Sequence, residues 1–311
     1  QPTFDPNGLA GHALSARDEN YKKLNTDPQR PLVNRSINGD LYPPGSIFKV
    51  ITAAAALSSG EYTEDSMLPG PAVLELPGTT ASLPNMFPGA CGANDQVSFT
   101  RAMAISCNTA FASVGMDIGA DALRAQAEKF GFGDSLSVPM RVTPSTIPAE
   151  LNMPQLAQSS IGQFDVRVTP LQMAMVAAGV ANDGAVMKPY LVQSVIGSDL
   201  SVIETTDPQE LSQAVTPDVA AQLTRMMEAV VTDGSGTRAQ IDGVAVAGKS
   251  GTAQHGEGRK PHAWFIAFAP ADDPQIAVAV IAEDGGVTGS EIGGGRVAAP
   301  IARQMMEARL K

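Results

Sequence analysis

The chain has 311 residues, of which 43% are hydrophobic and 17% charged, a balance typical of a folded globular protein. Its net charge is −11 and it contains no basic run, which argues against nucleic acid as a partner. No apolar stretch reaches the roughly 18 residues that a bilayer span needs. Two cysteines and three histidines occur without a metal-binding motif, so the sequence predicts neither a metal site nor a cofactor.

The N-terminal part of the chain is predicted to be irregular around one buried helix. Residues 1–45 are polar and rich in turn residues. The prolines and glycine at 43–45 cannot continue a helix backwards, so the apolar run after them predicts a core helix that begins at Ser46. Residues 59–96 contain several prolines, which predicts a long excursion with little regular structure.

The rest of the chain is predicted to form helices followed by a sheet. Helical patterns run over 97–130 with a break at 106–108, and threonine–proline pairs at 169 and 216 predict two more helix starts. Three short β-prone runs predict one antiparallel meander: Val244–Ala247, Ala263–Phe268 and Ile276–Ile281. A last helix follows the glycines at 293–295. Helices first and strands late predict an α+β fold.

Ser46 and Lys49 stand three positions apart at the start of the predicted core helix. Three residues along a helix turn about 300°, so the two side chains lie on one face, one turn apart. A lysine carried into a core either meets a polar partner or has its pKa lowered by burial, which is the state that a general base needs. The alternative is that Lys49 reaches solvent along its aliphatic stem and Ser46 only caps the helix.

Two further motifs make this pair part of an ordered set. Ser106 and Asn108, in a Ser-x-Asn pattern, fall at the break between helices, and Lys249 opens Lys-Ser-Gly-Thr on the first predicted strand. Each is weak alone, since Ser36 and Asn38 also match Ser-x-Asn in what is predicted to be a turn. The order Ser-x-x-Lys, Ser-x-Asn, Lys-Ser-Gly-Thr is that of penicillin-binding proteins and serine β-lactamases.

Lys249 also belongs to a competing motif. Residues 243–250 match the P-loop of nucleotide-binding proteins letter for letter. A P-loop needs a strand before its first glycine and a helix after its serine, whose N-terminus receives phosphate. Here residues 237–242 make a poor strand, residues 251–256 make no helix, and too few residues follow for a doubly wound sheet. The sequence therefore argues against an NTPase.

The chain resembles the transpeptidase domain of class B penicillin-binding proteins. The likeness covers nearly the whole chain and, beyond the three motifs, includes Asp5–Asn7, Phe130–Gly133, Ile161–Gln163, Thr169–Gln172 and His262–Phe265. Phe164 departs from the family, which often has glycine there. The resemblance implies a five-stranded antiparallel sheet with helices on both faces. Three of those strands are predicted within residues 1–311, and the first two are expected upstream of residue 1.

The resemblance also implies a role for each motif residue. Ser46 would attack the carbonyl of a D-alanyl-D-alanine stem peptide while neutral Lys49 takes its proton. The backbone N–H groups of Ser46 and Thr252 would bind the oxyanion. Ser106, beside both lysines, would pass the proton to the departing D-alanine. Asn108 would hold the substrate's amide, and the strand residues would bind its terminal carboxylate. The expected catalytic residues are Ser46, Lys49, Ser106 and Lys249, and the expected substrate-binding residues are Asn108, Ser250, Gly251 and Thr252.

The implied reaction is the crosslinking of peptidoglycan. An amine from a neighbouring strand would attack the acyl-enzyme, whereas a β-lactam would acylate the same serine and stay. The sequence places no obvious carboxylate to activate hydrolytic water, which favours a transpeptidase over a β-lactamase. A β-lactam sensor or an assembly scaffold is the other alternative, although a scaffold has no need of Lys49 or Ser106.

Cys91 and Cys107 are the two cysteines of the chain, and their redox state is left open by the sequence. In an oxidising, extracytoplasmic compartment a disulfide between them would stabilise the fold by about 3 kcal/mol. In the alternative both are reduced and Cys107 fills apolar space.

The resemblance implies that the chain is part of a longer, membrane-anchored protein. In the family a pedestal domain and a membrane anchor precede the transpeptidase domain. Residues 1–311 are therefore expected to be one such domain, incomplete at its N-terminus, at the extracytoplasmic face of the cell membrane. The expected partners are peptidoglycan stem peptides, β-lactam antibiotics and, through a role in cell division, divisome proteins.

Overall fold

A computed structural model of the chain describes residues 2–256, 258–286 and 293–311. Within these ranges the helices are α1 Asn7–Ala10, α2 Leu14–Asn25, α3 Lys49–Ser59, α4 Phe99–Ala104, α5 Asn108–Ile118, α6 Ala120–Lys129, α7 Met153–Ser159, α8 Pro170–Ala181, α9 Pro217–Asp233 and α10 Ala299–Leu310. The strands are β1 Met67–Pro69, β2 Val73–Glu75, β3 Ser82–Pro84, β4 Gln96–Ser98, β5 Ala185–Met187, β6 Ser194–Ile196, β7 Val202–Thr205, β8 Glu210–Gln213, β9 Ala247–Ala253, β10 His262–Ala269 and β11 Ile276–Ala282. A 3-10 turn at Gly45–Phe48 precedes α3, and a π-helical turn at Gly294–Ala298 precedes α10. None of the described helices combines the length and the apolar composition that crossing a membrane requires.

The sheet that carries Lys249 has three antiparallel strands in the order β11, β10, β9. β10 pairs with both neighbours, and its Ile266 lies opposite Lys249. The predicted meander is confirmed, but its first strand begins at Ala247 and not at Val244. Val244 instead closes a turn, in which its N–H donates to the carbonyl of Ile241. The strand is thereby displaced towards the Lys-Ser-Gly-Thr motif, which it contains in full.

Alternate side chains of β10 pack the two faces of this sheet against helices. Trp264, Ile266 and Phe268 belong to a core that also contains the apolar residues of α3, α8 and α9. Phe265 and Ala267 belong to a second core formed with α10. Helices on both faces of an antiparallel sheet confirm the α+β class. The two further strands of the expected five-stranded sheet stay a prediction.

The core helix α3 is buried along nearly its whole length. Every residue from Gly45 to Leu57 is buried, as the apolar sequence without a polar face predicts. The chain enters as the 3-10 turn and becomes α-helical at Lys49, three residues later than predicted. The helix ends at Gly60, whose φ of 79° favours glycine.

The prediction of irregular structure over residues 1–45 is wrong, because Leu14–Asn25 forms α2. No residue of this helix is buried, so no apolar stripe marks it in the sequence. The excursion over 59–96 contains two short antiparallel pairs, β1 with β4 and β2 with β3. Val97 lies in β4 and does not open a helix.

Candidate active site

Three parts of the fold bring the predicted motif residues together. Ser46 lies in the 3-10 turn before α3, and Lys49 is the first residue of that helix. Ser106 and Asn108 lie at the junction of α4 and α5, where Ser106 has a φ of 61°. Lys249 lies on β9. None of these five side chains belongs to a residue more than 5% exposed.

Strand β9 approaches the Ser46 turn closely because small residues line the contact. A Cβ at Gly251 would lie 3.0 Å from Ile47 Cγ2 and 3.1 Å from the Ile47 backbone nitrogen. Gly45 lies on the turn side of this contact and has a φ of 55°. A Cβ there would lie 2.6 Å from the Thr252 carbonyl oxygen. A side chain at either glycine would push the strand away from Ser46. Gly251 therefore sets the spacing between the strand and the serine.

The Lys49 side chain is fully buried and hydrogen-bonded to the α4–α5 junction. Its Nζ donates to the Ser106 carbonyl at 2.8 Å and to Asn108 Oδ1 at 2.7 Å, and it lies within hydrogen-bond distance of Ser106 Oγ, at 3.1 Å. The alternative in which Lys49 reaches solvent is therefore wrong. These hydrogen bonds offset the desolvation cost of burying the Lys49 amine.

Lys249 reaches the same serine from the strand. Its Nζ donates to Ser106 Oγ at 2.9 Å and to the Ser250 carbonyl at 2.8 Å. The Ser106 hydroxyl thus lies between two buried lysine nitrogens. Because a hydroxyl carries one proton and two lone pairs, it can accept from one lysine while exchanging a proton with the other. This is the arrangement that a proton relay needs.

An open cleft of about 400 Å³ lies over Ser46, Asn108 and Thr252. The Thr252 hydroxyl is buried and, within the described part of the chain, has no hydrogen-bond partner. The remaining lining is mostly apolar or amide-bearing: Leu76, Ala81, Ser82, Leu83, Pro84, Met86, Gln158, Ile161, Gln163, Phe164 and Gln254. The cleft therefore suits a peptide whose polar end meets β9.

Phe164 lines this cleft in a backbone conformation that favours glycine. Its φ is 59°, in the left-handed region that residues with a side chain adopt at a cost. The position where the sequence departs from the family is thus one at which glycine would be unstrained.

Asn85, which no sequence motif singled out, organises the Ser-x-Asn junction from the proline-rich excursion. Its Oδ1 accepts from the backbone N–H groups of Asn108 at 3.0 Å and Thr109 at 3.2 Å. These N–H groups lie in the first turn of α5, where the helix itself supplies no acceptor. Its Nδ2 donates to the Pro71 carbonyl at 3.0 Å, and Asn108 Nδ2 donates to the Pro84 carbonyl at 3.2 Å. The excursion therefore fixes Asn108. An asparagine in a loop carries no sequence signal for this role.

The structure joins Cys91 and Cys107 in a disulfide with a Cα–Cα distance of 6.0 Å. Both residues are buried, at 8% and 0% exposure. Cys107 is also the N-cap of α5, directly beside Asn108. The bridge thus ties the excursion to the junction that holds the Ser-x-Asn motif.

Removing this disulfide is expected to lower the free energy of unfolding by about 3 kcal/mol, because it closes a loop of 16 residues. Urea denaturation of the wild type and of a Cys91→Ala/Cys107→Ala double variant, each with and without reductant, measures the effect. Reductant should destabilise the wild type and leave the double variant unchanged. An intact mass that does not rise by two hydrogens on reduction would contradict the bridge.

A second polar cluster lies beside the cleft, where His255, His262 and Asp284 bring donor atoms within 4.8 Å of one another. The two imidazole rings stack with centroids 3.5 Å apart and planes 5° apart. Their in-plane lone pairs therefore lie in parallel planes and do not converge on one ion, and His262 Nδ1 already accepts the Asp284 backbone N–H at 3.1 Å. The arrangement fits a stacked pair of rings better than a metal centre.

Burial, reinforced by the neighbouring His255, lowers the pKa of His262 from 6.5 to about 4. The folded protein therefore needs a lower pH than the unfolded chain to protonate His262. The contribution of neutral His262 to the free energy of unfolding is present above pH 6.5 and falls as the pH drops towards 4. Between pH 7 and pH 4.5 the loss should be about 2.5 kcal/mol.

Urea denaturation of the wild type and His262→Gln at these two pH values measures that loss as the difference between their pH slopes. The exposed His12, changed to glutamine, is the matched control and should keep the wild-type slope. Equal slopes for the wild type and His262→Gln would contradict the assignment.

Strand β9 and the residues after it do not form a P-loop. Lys249 lies inside β9, and residues up to Ala253 continue that strand. The next element in the described part of the chain is the strand β10, so no helix directly after the motif offers its N-terminus to phosphate. The rejection made from the sequence therefore agrees with the fold.

A family model described as the penicillin binding protein transpeptidase domain matches residues 1–307. The chain belongs to this family. The resemblance drawn from the three ordered motifs is confirmed.

Two curated relatives of this transpeptidase domain carry the same name. Peptidoglycan D,D-transpeptidase PbpA of Mycolicibacterium smegmatis is 48% identical over 316 residues, which cover 100% of this chain and 63% of the relative. The enzyme of the same name from Mycobacterium tuberculosis is 44% identical over 317 residues, with the same coverage. The chain thus spans 63% of the length of these relatives.

Solved structures show the same likeness. The ceftriaxone acyl-enzyme complex of penicillin-binding protein A from M. tuberculosis has a TM-score of 0.94 at 44% identity, over 100% of this chain and 70% of that one. The D,D-transpeptidase domain of a peptidoglycan glycosyltransferase from Eggerthella lenta has a TM-score of 0.82 at 31% identity, over 96% of this chain and 72% of that one.

Proposed function

We propose that this domain is a peptidoglycan D,D-transpeptidase that works through an acyl-enzyme on Ser46, and that β-lactams acylate the same serine. The observation that carries the proposal is the buried set of Lys49, Ser106 and Lys249, hydrogen-bonded together on the elements that flank Ser46. The names of the relatives, and β-lactam acyl-enzymes in related structures, support it.

Acylation begins with Ser46 Oγ bonding to the carbonyl carbon of the penultimate D-alanine, while Lys49, in its neutral form, accepts the hydroxyl proton. The backbone N–H groups of Ser46 and Thr252 stabilise the oxyanion. Ser106 passes the proton to the leaving nitrogen as the C–N bond breaks, and D-alanine departs. The amine of a second stem peptide then attacks the Ser46 ester, loses its proton through the same relay, and releases Ser46 as the crosslink forms.

The terminal carboxylate of the donor binds at β9 through Lys249, Ser250 and Thr252. The buried Thr252 hydroxyl, without a partner in the described part of the chain, supports this placement because an anion would accept its proton. Asn108 holds the donor's amide, and its own contacts with Lys49 and the Pro84 carbonyl fix the side chain for that task.

Two alternatives predict different lining and different turnover. A serine β-lactamase would need a group to activate water, yet the described lining of the catalytic cleft contains no aspartate or glutamate. An assembly scaffold would have no use for two buried lysines converging on one serine hydroxyl, whereas a β-lactam sensor would be acylated without turnover. Both features favour an acyl transferase.

The test is turnover of a diacetylated Lys-D-Ala-D-Ala peptide with and without glycine as acceptor amine. We expect D-alanine release, together with a glycine-capped product that exceeds the hydrolysed one. Ser46→Ala should abolish both products, while Ser36→Ala, at an exposed serine in the second Ser-x-Asn pattern, should leave them unchanged. Release that yields only hydrolysed peptide would contradict transpeptidation, and covalent labelling without any release would favour a sensor.

We also propose that the domain works at the outer face of the cell membrane, held by an anchor outside residues 1–311. The Cys91–Cys107 disulfide supports this location because such bonds persist in oxidising compartments. A membrane-impermeant protease added to spheroplasts should degrade the protein. Survival of the protein until the cells are lysed would contradict the proposal.

A further inference from the structure

The chain leaves α9 through a short turn that reaches the edge of β9. Ser235, in this turn, places its Oγ 2.6 Å from Ser250 Oγ. Ser250 is the second residue of the Lys-Ser-Gly-Thr motif and is fully buried. Ser235 belongs to none of the three motifs, and no sequence pattern around it predicts a contact with the active site.

Ser235 is held in place from two further directions. Its backbone N–H donates to the Ala104 carbonyl at 2.9 Å, two residues before Ser106. A Cβ at Gly234 would lie 2.3 Å from that same carbonyl oxygen, and a Cβ at Gly295 would lie 2.1 Å from the Ser235 carbonyl oxygen. The turn is thus packed between the α4–α5 junction and the π-helical turn, and the Ser235 hydroxyl has a fixed position against Ser250.

The proton count of this pair decides what Ser250 can bind. Each hydroxyl carries one proton and two lone pairs, so one serine donates to the other. If Ser250 donates, it has no proton left for a ligand. If Ser235 donates, the Ser250 proton is free to point elsewhere. A carboxylate only accepts hydrogen bonds, so only the second arrangement lets Ser250 bind one.

We infer that Ser235 is a positioning residue, whose hydroxyl donates to Ser250 Oγ and so turns the Ser250 proton towards the substrate carboxylate. This inference rests on the proposed function, because it presumes that a carboxylate binds at β9. It adds a residue from the end of α9 to the site and makes recognition of the carboxylate depend on a two-hydroxyl chain.

The test compares acylation of the whole chain by penicillin G, which has a carboxylate, with acylation by its methyl ester, which has none. For Ser235→Ala we expect the second-order rate constant to fall about tenfold with penicillin G and to stay within about twofold with the ester. Without Ser235 nothing holds the Ser250 hydroxyl in the donating orientation, so its hydrogen bond to the charged carboxylate weakens. Ser235→Thr, which keeps the hydroxyl, should restore the penicillin G rate. Ser250→Ala combined with Ser235→Ala should cost no more than Ser250→Ala alone.

An equal loss with both compounds would mean that Ser235 only supports the fold and would overturn the inference, as would a Ser235→Ala rate equal to wild type or full additivity with Ser250→Ala. Wild-type labelling separates these outcomes from failure of the proposed function. If penicillin G labels the wild type at Ser46 and the ester comparison fails, only the role of Ser235 is wrong.

Discussion

Replacing Lys49 by methionine is expected to lower the rate constant of acylation by penicillin at least a thousandfold. A serine hydroxyl is a weak nucleophile without a base, and removing a base from such a unit costs about three to six orders of magnitude. Methionine keeps much of the aliphatic volume in the buried site but takes away the donor to Asn108 Oδ1 and to the Ser106 carbonyl. Stopped-flow measurement with a fluorescent penicillin gives the rate constant.

The same change should also lower the free energy of unfolding, by about 1 to 3 kcal/mol, because buried acceptors lose their partner. Lys129→Met, at an exposed lysine near the end of α6, is the control and should match the wild type in both measurements. A Lys49→Met rate within tenfold of the wild type, in folded protein, would show that another group serves as the base.

Replacing Gly162 by alanine is expected to destabilise the fold by about 3 kcal/mol and to slow acylation together with it. Gly162 has a φ of 74°, and a Cβ there would lie 2.1 Å from the Gly45 carbonyl oxygen and 2.8 Å from Phe48 Cβ. The Gly162 carbonyl also accepts the Gly45 N–H at 2.9 Å. The clash would therefore displace the 3-10 turn that carries Ser46. Urea denaturation and the penicillin rate constant measure the two effects.

Gly133→Ala separates backbone strain from displacement of the turn. Gly133 has a φ of 86°, but a Cβ there would meet nothing within 4 Å. Its replacement should cost only the strain of a left-handed residue, about 1 kcal/mol, and should leave the acylation rate unchanged. Equal effects of the two substitutions on acylation would contradict the role given to Gly162.

Most of the geometry of the candidate active site could be predicted from the sequence because its signals are local. The spacing of Ser46 and Lys49 fixes their shared helix face, and the apolar run behind them requires burial. The β-prone runs around Trp264 and Val278 predicted the strands that support Lys249. Local signals did not give the exact start of β9. Val244 forms an isolated bridge with Ile241, and the strand begins only at Ala247.

Long-range partners could not be predicted, because they arise only when distant segments pack. Asn85 contacts Asn108 from 23 residues away, and Ser235 contacts Ser250 across the end of α9. Neither serine nor asparagine in a loop has a pattern that reveals its partner. The helix Leu14–Asn25 was missed for the opposite reason, since without a buried face it shows no hydrophobic period.

Penicillin labelling followed by intact-mass measurement and peptide mapping asks most directly whether Ser46 is the nucleophile. The wild type should gain the mass of one penicillin, and the modified peptide should contain Ser46. Ser46→Ala, folded by circular dichroism, should gain none. An adduct that persists in Ser46→Ala, or that maps to another residue of the wild type, would contradict the assignment of Ser46 and the mechanism built on it.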